Sequence, residues 1–277
     1  MSTKGGLVSA AAETLASRLG GKKPEIALIL GSGLGEIGDR IDNPVVVPYT
    51  DLPGFPETTA TGHNGNFICG ELGGKCVLAL QGRYHWYEGY PMDIITLPIR
   101  VCIELGIGIL ITTNASGALN PEYKVGDLML LDSHIYMLPE YPGKGAASDG
   151  KEMYDRDLSK AFILAAEKQG KKIRKGTYLV TTGPSYETAA EHMRFIEAGG
   201  DAIGMSTIPE VIIAHENGIR VMAVSLVTDA PHYCEDEETG CLVREDSSVI
   251  DGDEIVRIAN RSALILSSII EGTMSIL

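Results

Sequence analysis

The 277-residue chain is 44% hydrophobic and 22% charged, which suits a folded globular protein and excludes the weakly hydrophobic, highly charged composition of disorder. A formal charge of −14 repels nucleic acid and anionic lipid, so an anionic ligand must be small and gripped by a local cluster that overcomes the global field. The five cysteines (Cys69, Cys76, Cys102, Cys234, Cys241) are odd in number and form no CxxC pair, which argues against a disulfide framework or a zinc site and for a reducing compartment.

No linker-like stretch divides the chain, so residues 1–277 are read as one α/β domain with a mainly parallel, buried sheet. The N-terminal segment lacks the continuous apolar run of a signal peptide and reads as an amphipathic helix over 6–19. Strands follow near 25–30 (EIALIL) and 76–80 (CVLAL), then a helix over 92–105 and strands near 108–113 (GILITT) and 127–131 (DLMLL). The Gly-, Pro- and charge-rich segment 139–152 is a surface loop. A helix over 157–170, a strand near 176–182, helices over 188–198 and 208–217, a strand near 219–227 and a helix over 251–271 complete the series. Thr207-Ile-Pro-Glu210 has capping-box spacing with Pro209 in the first turn, and Gly218 stops that helix. No uncharged apolar run reaches the roughly 18 residues that cross a bilayer, and a cytoplasmic protein is expected.

Chemistry-bearing residues gather just after the strands. Gly31-Ser32-Gly33-Leu34-Gly35 follows the first strand, where backbone amides turn toward an anion at no Cβ cost. Residues 33–38 match GxGxxG, but Pro44 arrives too soon for the helix that a dinucleotide site needs, leaving a phosphate-facing turn or a plain strand exit. In Gln81-Gly82-Arg83-Tyr84-His85-Trp86-Tyr87-Glu88-Gly89-Tyr90, alternation puts Arg83, His85 and Tyr87 on one side of an extended segment. A guanidinium fork, an imidazole and a phenol together suit a phosphate beside a sugar; an aromatic surface loop is the bland alternative. Small residues at 113–120 (TNASGALN) let a ligand approach the backbone. Ser206 lies at the positive end of a helix. Glu187 either caps its own helix or faces a ligand.

On these motifs the chain resembles the trimeric purine-nucleoside phosphorylases: GSGLG (31–35), GHNG (62–65), QGRYHWYEGYP (81–91), TNASGALNP (113–121), GPSYETAAE (183–191) and GMSTIPEV (204–211) occur in the family's order. The resemblance implies a central twisted mixed β-sheet or distorted barrel flanked by helices, a homotrimer, and no metal or organic cofactor, with inorganic phosphate as co-substrate and a purine nucleoside as the other partner. It implies a phosphate site of Ser32, Arg83, His85, the Ala115 amide and Ser206, with His63 on a mobile loop nearby. The sugar would meet Tyr87 and Met205, and the base would meet Ala115, Ser116, Gly117, Tyr186, Glu187, Ile203 and Asp229; His85, Glu187 and Asp229 carry the catalytic roles. The implied reaction is displacement at C1′ through an oxocarbenium-like state, yielding free purine and (deoxy)ribose 1-phosphate.

Three positions depart from the family. Asp229 stands where an asparagine is usual; an ionised carboxylate only accepts, favouring a 6-amino group, whereas a neutral one donates to N7. That Glu187 and Asp229 occur together suggests inosine and guanosine with added acceptance of adenosine; a carboxylate turned to solvent is the alternative. The family's histidine for the sugar 5′-hydroxyl aligns near Gly252, with His232 as a stand-in, and the loop at 139–152 lacks the phenylalanine lent by a neighbouring subunit, with Tyr136 and Tyr141 as candidates. The acidic run 235–238 is read as a solvated loop and not a metal site. Two rival functions are a methylthioadenosine phosphorylase and a non-catalytic nucleoside-binding sensor.

Overall fold

The computed structural model describes residues 3–145, 150–231, 233–235, 242–244 and 252–277. In chain order its strands are β1 (Ile26–Leu30), β2 (Asp42–Pro48), β3 (Asn66–Leu72), β4 (Lys75–Gln81), β5 (Ile109–Ala118), β6 (Leu128–Tyr136), β7 (Ile173–Val180), β8 (Ala202–Gly204), β9 (Arg220–Asp229), β10 (Tyr233–Glu235) and β11 (Leu242–Arg244). The helices are α1 (Thr3–Arg18), α2 (Met92–Ile95), α3 (Leu97–Glu104), α4 (Arg156–Glu167), α5 (Ala189–Glu197), α6 (Ile208–Glu216) and α7 (Gly252–Met274). β10 and β11 form a separate antiparallel pair.

The remaining nine strands form one sheet in the order β2-β3-β4-β1-β5-β8-β7-β6-β9, and a further pairing of β9 with β5 closes the last five into a distorted barrel. The sheet is mixed, not mainly parallel: β1 runs parallel to β4 and β5, but β3 is antiparallel to β2 and β4, and β8 to β5. β1 is buried along its whole length, as its unbroken apolar run requires. β2 and β3 went unread in the sequence because Asn43-Pro44 and Gly70 look like turn signals. β2 tolerates its proline because it is an edge strand, exposed over most of its length and bulged between Asp42 and Val45.

One face of the sheet packs on α1, α3 and α6, through Leu15, Ile99 and Ile212 among others. α4 and α7 cover the opposite face with Phe162, Leu266 and Ile270. The helix expected over 92–105 is broken at Thr96, which ends α2 and precedes Pro98 in α3. α4 starts on Asp155, whose carboxylate accepts from the amides of Asp157 and Leu158, both at 2.9 Å. Among the described residues no helix is long and apolar enough to cross a membrane.

Candidate active site

Parallel α/β sheets bind ligands beyond the carboxyl ends of their strands, and one cavity of about 600 Å³ opens at that rim here. Gly31 and Ser32 leave β1 there, Arg83 leaves β4, residues 114–117 end β5, and Gly204 ends β8 with Met205 and Ser206 following it. Glycine is required at position 31, because a Cβ would lie 2.7 Å from the Thr113 carbonyl oxygen and 2.8 Å from the Asn114 Cα. A β-bulge shifts the β5–β9 register between Ser116 and Gly117 and sets Asp229 opposite Gly117, whose other neighbour across the sheet is Ile203 of β8. Three adjacent strands therefore present Gly117, Ile203 and Asp229 side by side.

At one end of the cavity the polar groups are cationic or hydroxylic. Arg83 is 2% exposed, and its guanidinium is not the free fork expected from sequence. Its terminal nitrogens donate to Ser206 Oγ (2.8 Å), Thr207 Oγ1 (2.7 Å), Thr112 Oγ1 (3.1 Å) and the Thr113 carbonyl (2.7 Å). Behind it, Nε lies 3.3 Å from Glu210 Oε1 in a fully buried ion pair. The capping box expected at Thr207 and Glu210 is absent: Thr207 has φ 75° and caps nothing, and Glu210 turns to Arg83. Thr207 instead collects hydrogen bonds from Arg83 and Asn114, an outlying backbone held by tertiary contacts.

His85 is sandwiched between two aromatic rings, His63 at 5.0 Å and Tyr87 at 4.7 Å, both stacked. Its Nδ1 lies 2.9 Å from Glu88 Oε2, which also accepts from the His85 amide. Burial alone would raise the Glu88 carboxyl, but hydrogen bonds from His85 and Thr59 outweigh it and bring the pKa to about 2. An ionised carboxylate only accepts, so Nδ1 carries the proton and Nε2 keeps its lone pair. Burial lowers the His85 pKa, which keeps the ring neutral. His63 does not line the cavity. It sits behind it, 7% exposed, with Nε2 3.2 Å from Ser32 Oγ and Nδ1 against the Arg83 backbone, and burial lowers its pKa to about 3.

Between the two ends stand Tyr87 and Met205. Gly183 makes their approach possible: it has φ 65°, and a Cβ there would come 2.3 Å from Met205 Sδ and 3.1 Å from the Tyr87 ring. Tyr186, Glu187 and Asp229 line the same cavity. Glu187 caps no helix, because Thr188 does so in a capping box with Glu191; its Oε1 lies 3.3 Å from Nδ1 of the buried His192. A chain of hydroxyls and amides links the ends: Ser225 Oγ is 2.6 Å from Ser116 Oγ and donates to Asn114 Oδ1 at 2.7 Å, and Asn114 Nδ2 donates to Thr207 at 2.8 Å.

One cavity thus gathers Ser32, Arg83, His85, Ala115 and Ser206 with Tyr87 and Met205 and with Ser116, Gly117, Tyr186, Glu187, Ile203 and Asp229. Sequence reasoning missed Asn114 as a cavity residue, and Thr207, Glu210 and His192 as the groups that hold Arg83 and Glu187 from behind. Asn114 sat inside a quoted motif without a role, and His192 carried no signal beyond its helix. Tyr136 and Tyr141 pack edge-to-face on each other, and neither lines this cavity. His232 and residues 236–238 lie outside the described residues, as do the side chains around Gly252. Among the described residues no three His, Cys, Asp or Glu side chains gather as a metal site.

Comparison with known proteins identifies the family. The family model of the phosphorylase superfamily matches residues 25–271. The chain is 46% identical over 218 residues to purine nucleoside phosphorylase 1 of Bacillus subtilis, covering 76% of this chain and 80% of that one. It belongs to the purine nucleoside phosphorylases. Mouse purine nucleoside phosphorylase is 40% identical over 224 residues, covering 75% of this chain and 76% of its own. The crystal structure of the Schistosoma mansoni purine nucleoside phosphorylase in complex with adenosine superposes with a TM-score of 0.84 at 37% identity, covering 98% of this chain and 96% of the other. The same enzyme has been solved with inosine, at a TM-score of 0.85. Membership makes this chain a pentosyltransferase of purine salvage, cleaving purine nucleosides by phosphorolysis.

Proposed function

We propose that the cavity seats inorganic phosphate at its Ser32–Ser206 end and a purine nucleoside across the rest, with inosine and guanosine as principal substrates and adenosine also accepted. The observation that carries this reading is the mixed lining of one continuous cavity: hydroxyls, an imidazole and a buried guanidinium bonded to Ser206, together with the carboxylates of Glu187 and Asp229. Arg83 supports the anion through Ser206, since a hydroxyl that accepts from a guanidinium is a stronger donor toward a second oxygen. Hydrogen phosphate has one O–H, and the Nε2 lone pair of His85 is its natural acceptor; that contact would orient the nucleophile. The sugar lies between Tyr87 and Met205, so its anomeric carbon faces the anion on one side and the base on the other.

Charge placement then carries catalysis. The anion stabilises the positive sugar as the glycosidic bond lengthens, and the departing purine gathers negative charge that must be met by donors. Glu187 accepts the N1 hydrogen of a 6-oxopurine and the 2-amino group of guanine. Asp229 accepts from a 6-amino group, which widens the choice of base. No metal or organic cofactor enters this scheme, and a homotrimer and a cytoplasmic location are proposed from the family resemblance alone.

The test is a panel of inosine, guanosine, adenosine and methylthioadenosine, each with and without phosphate, on wild type and Asp229→Asn. Base release should require phosphate, and the substitution should raise the inosine-to-adenosine ratio of kcat/KM about tenfold, the scale of one hydrogen bond to a charged group. An unchanged ratio removes Asp229 from base selection, phosphate-independent release indicates a hydrolase, and no release on any substrate indicates a nucleoside sensor.

A further inference from the structure

Glu210 is 3% exposed on the first turn of α6 and does not line the cavity, yet among the described residues it is the only carboxylate in an ion pair with Arg83. Among the described residues neither Arg83 Nε nor Glu210 Oε2 has a hydrogen-bond partner. A neutral acid or a simple helix residue would serve packing better than this pair, because two buried charges cost desolvation that imperfect geometry does not return. The pair also has a consequence for ligand binding. With Glu210 ionised, an approaching anion meets a guanidinium whose charge is already cancelled, in a chain carrying −14 overall.

We infer that Glu210 is a positioning residue that balances Arg83 while the site is empty and takes up one proton from solvent on Oε2 when an oxyanion binds, so that Arg83 presents its full charge only to the ligand. This inference rests on the phosphate reading above. In the empty protein the other titratable groups around the pair are neutral: Tyr49 and Tyr178 are held protonated by burial, as is the Cys102 thiol near Tyr49, and burial lowers the pKa of His63 and His85. Burial raises the Glu210 carboxyl to about 7 against the opposing pull of Arg83, which puts its exchange in the working range. In the empty protein the sign follows: the stability this group confers is complete below the unfolded value of 4.5 and is lost as pH rises through about 7.

Sulfate is the probe, because it does not titrate near neutrality as phosphate does. Calorimetric titration at pH 7 and pH 8, in buffers of differing ionisation enthalpy, reads protons exchanged per sulfate bound. The expected uptake is about half a proton per site at pH 7, rising toward one at pH 8, with affinity falling up to about tenfold over the upper pH unit. Glu210→Gln should bind sulfate with no uptake and a flat pH profile. Wild type supplies a second readout that needs no variant: sulfate binding should add a protonated-carboxyl band to the infrared difference spectrum. Sulfate bound without proton uptake, or uptake that persists in Glu210→Gln, overturns the inference. Absence of any binding heat in every buffer overturns the phosphate reading itself, a result distinct from binding without a proton.

Discussion

Replacing Arg83 by methionine should cost stability and activity together, and a second substitution, Glu210→Gln, should return only the stability. The single change leaves the Glu210 carboxylate buried with no cation beside it, a situation that costs about 3–5 kcal/mol. Four hydrogen bonds that fix Ser206, Thr207, Thr112 and the Thr113 carbonyl vanish as well. Making Glu210 a neutral amide removes the buried charge and should recover most of the loss in denaturant unfolding. Turnover should not recover: without the guanidinium behind Ser206, kcat/KM for phosphate should remain down by about 10²–10³-fold, the range found when one preorganised donor to a developing charge is lost. A double variant that regains activity along with stability would make Arg83 a structural residue only.

Glu187→Gln should separate the substrates. A 6-oxopurine offers a hydrogen at N1 and adenine does not, so the loss should fall on inosine and guanosine, by about 10- to 100-fold in kcat/KM for a charge-assisted bond of about 1.5–3 kcal/mol. Adenosine should change by less than about threefold, within the range of a neutral substitution. His192→Ala should move the same ratio in the same direction but less, because His192 meets Glu187 at 3.3 Å and packs on Tyr233 at a ring distance of 4.8 Å without lining the cavity. Steady-state kinetics on both nucleosides at saturating phosphate decides it. Equal losses on the two would place Glu187 away from N1.

These predictions show which residues the sequence exposed and which it hid. Ser32, His85, Ala115 and Glu187 were legible as cavity residues because each sits in a small-residue or aromatic cluster at or beyond the carboxyl end of a strand, where an α/β sheet presents its ligands. The closed barrel was legible only through resemblance: β8 has three residues, and the β9–β5 pairing joins segments far apart in the chain. Thr207 and Glu210 were misread for a physical reason. Thr-x-x-Glu before a helix fits a capping box whether or not the carboxylate turns back to the helix, and only tertiary structure shows that a buried guanidinium has claimed it. The same blindness applied to Arg83, a plausible free fork by motif whose two terminal nitrogens already donate to its own protein.

The seat of the oxyanion is tested most directly by a crystal structure of the protein grown with sulfate and hypoxanthine. The expected result is sulfate within hydrogen-bonding distance of the Ser32 and Ser206 hydroxyls and the Ala115 amide, with the purine against Glu187 and room for one pentose between them. An empty Ser32–Ser206 end, with purine bound and sulfate only elsewhere on the surface, would contradict the assignment of that end to the nucleophile.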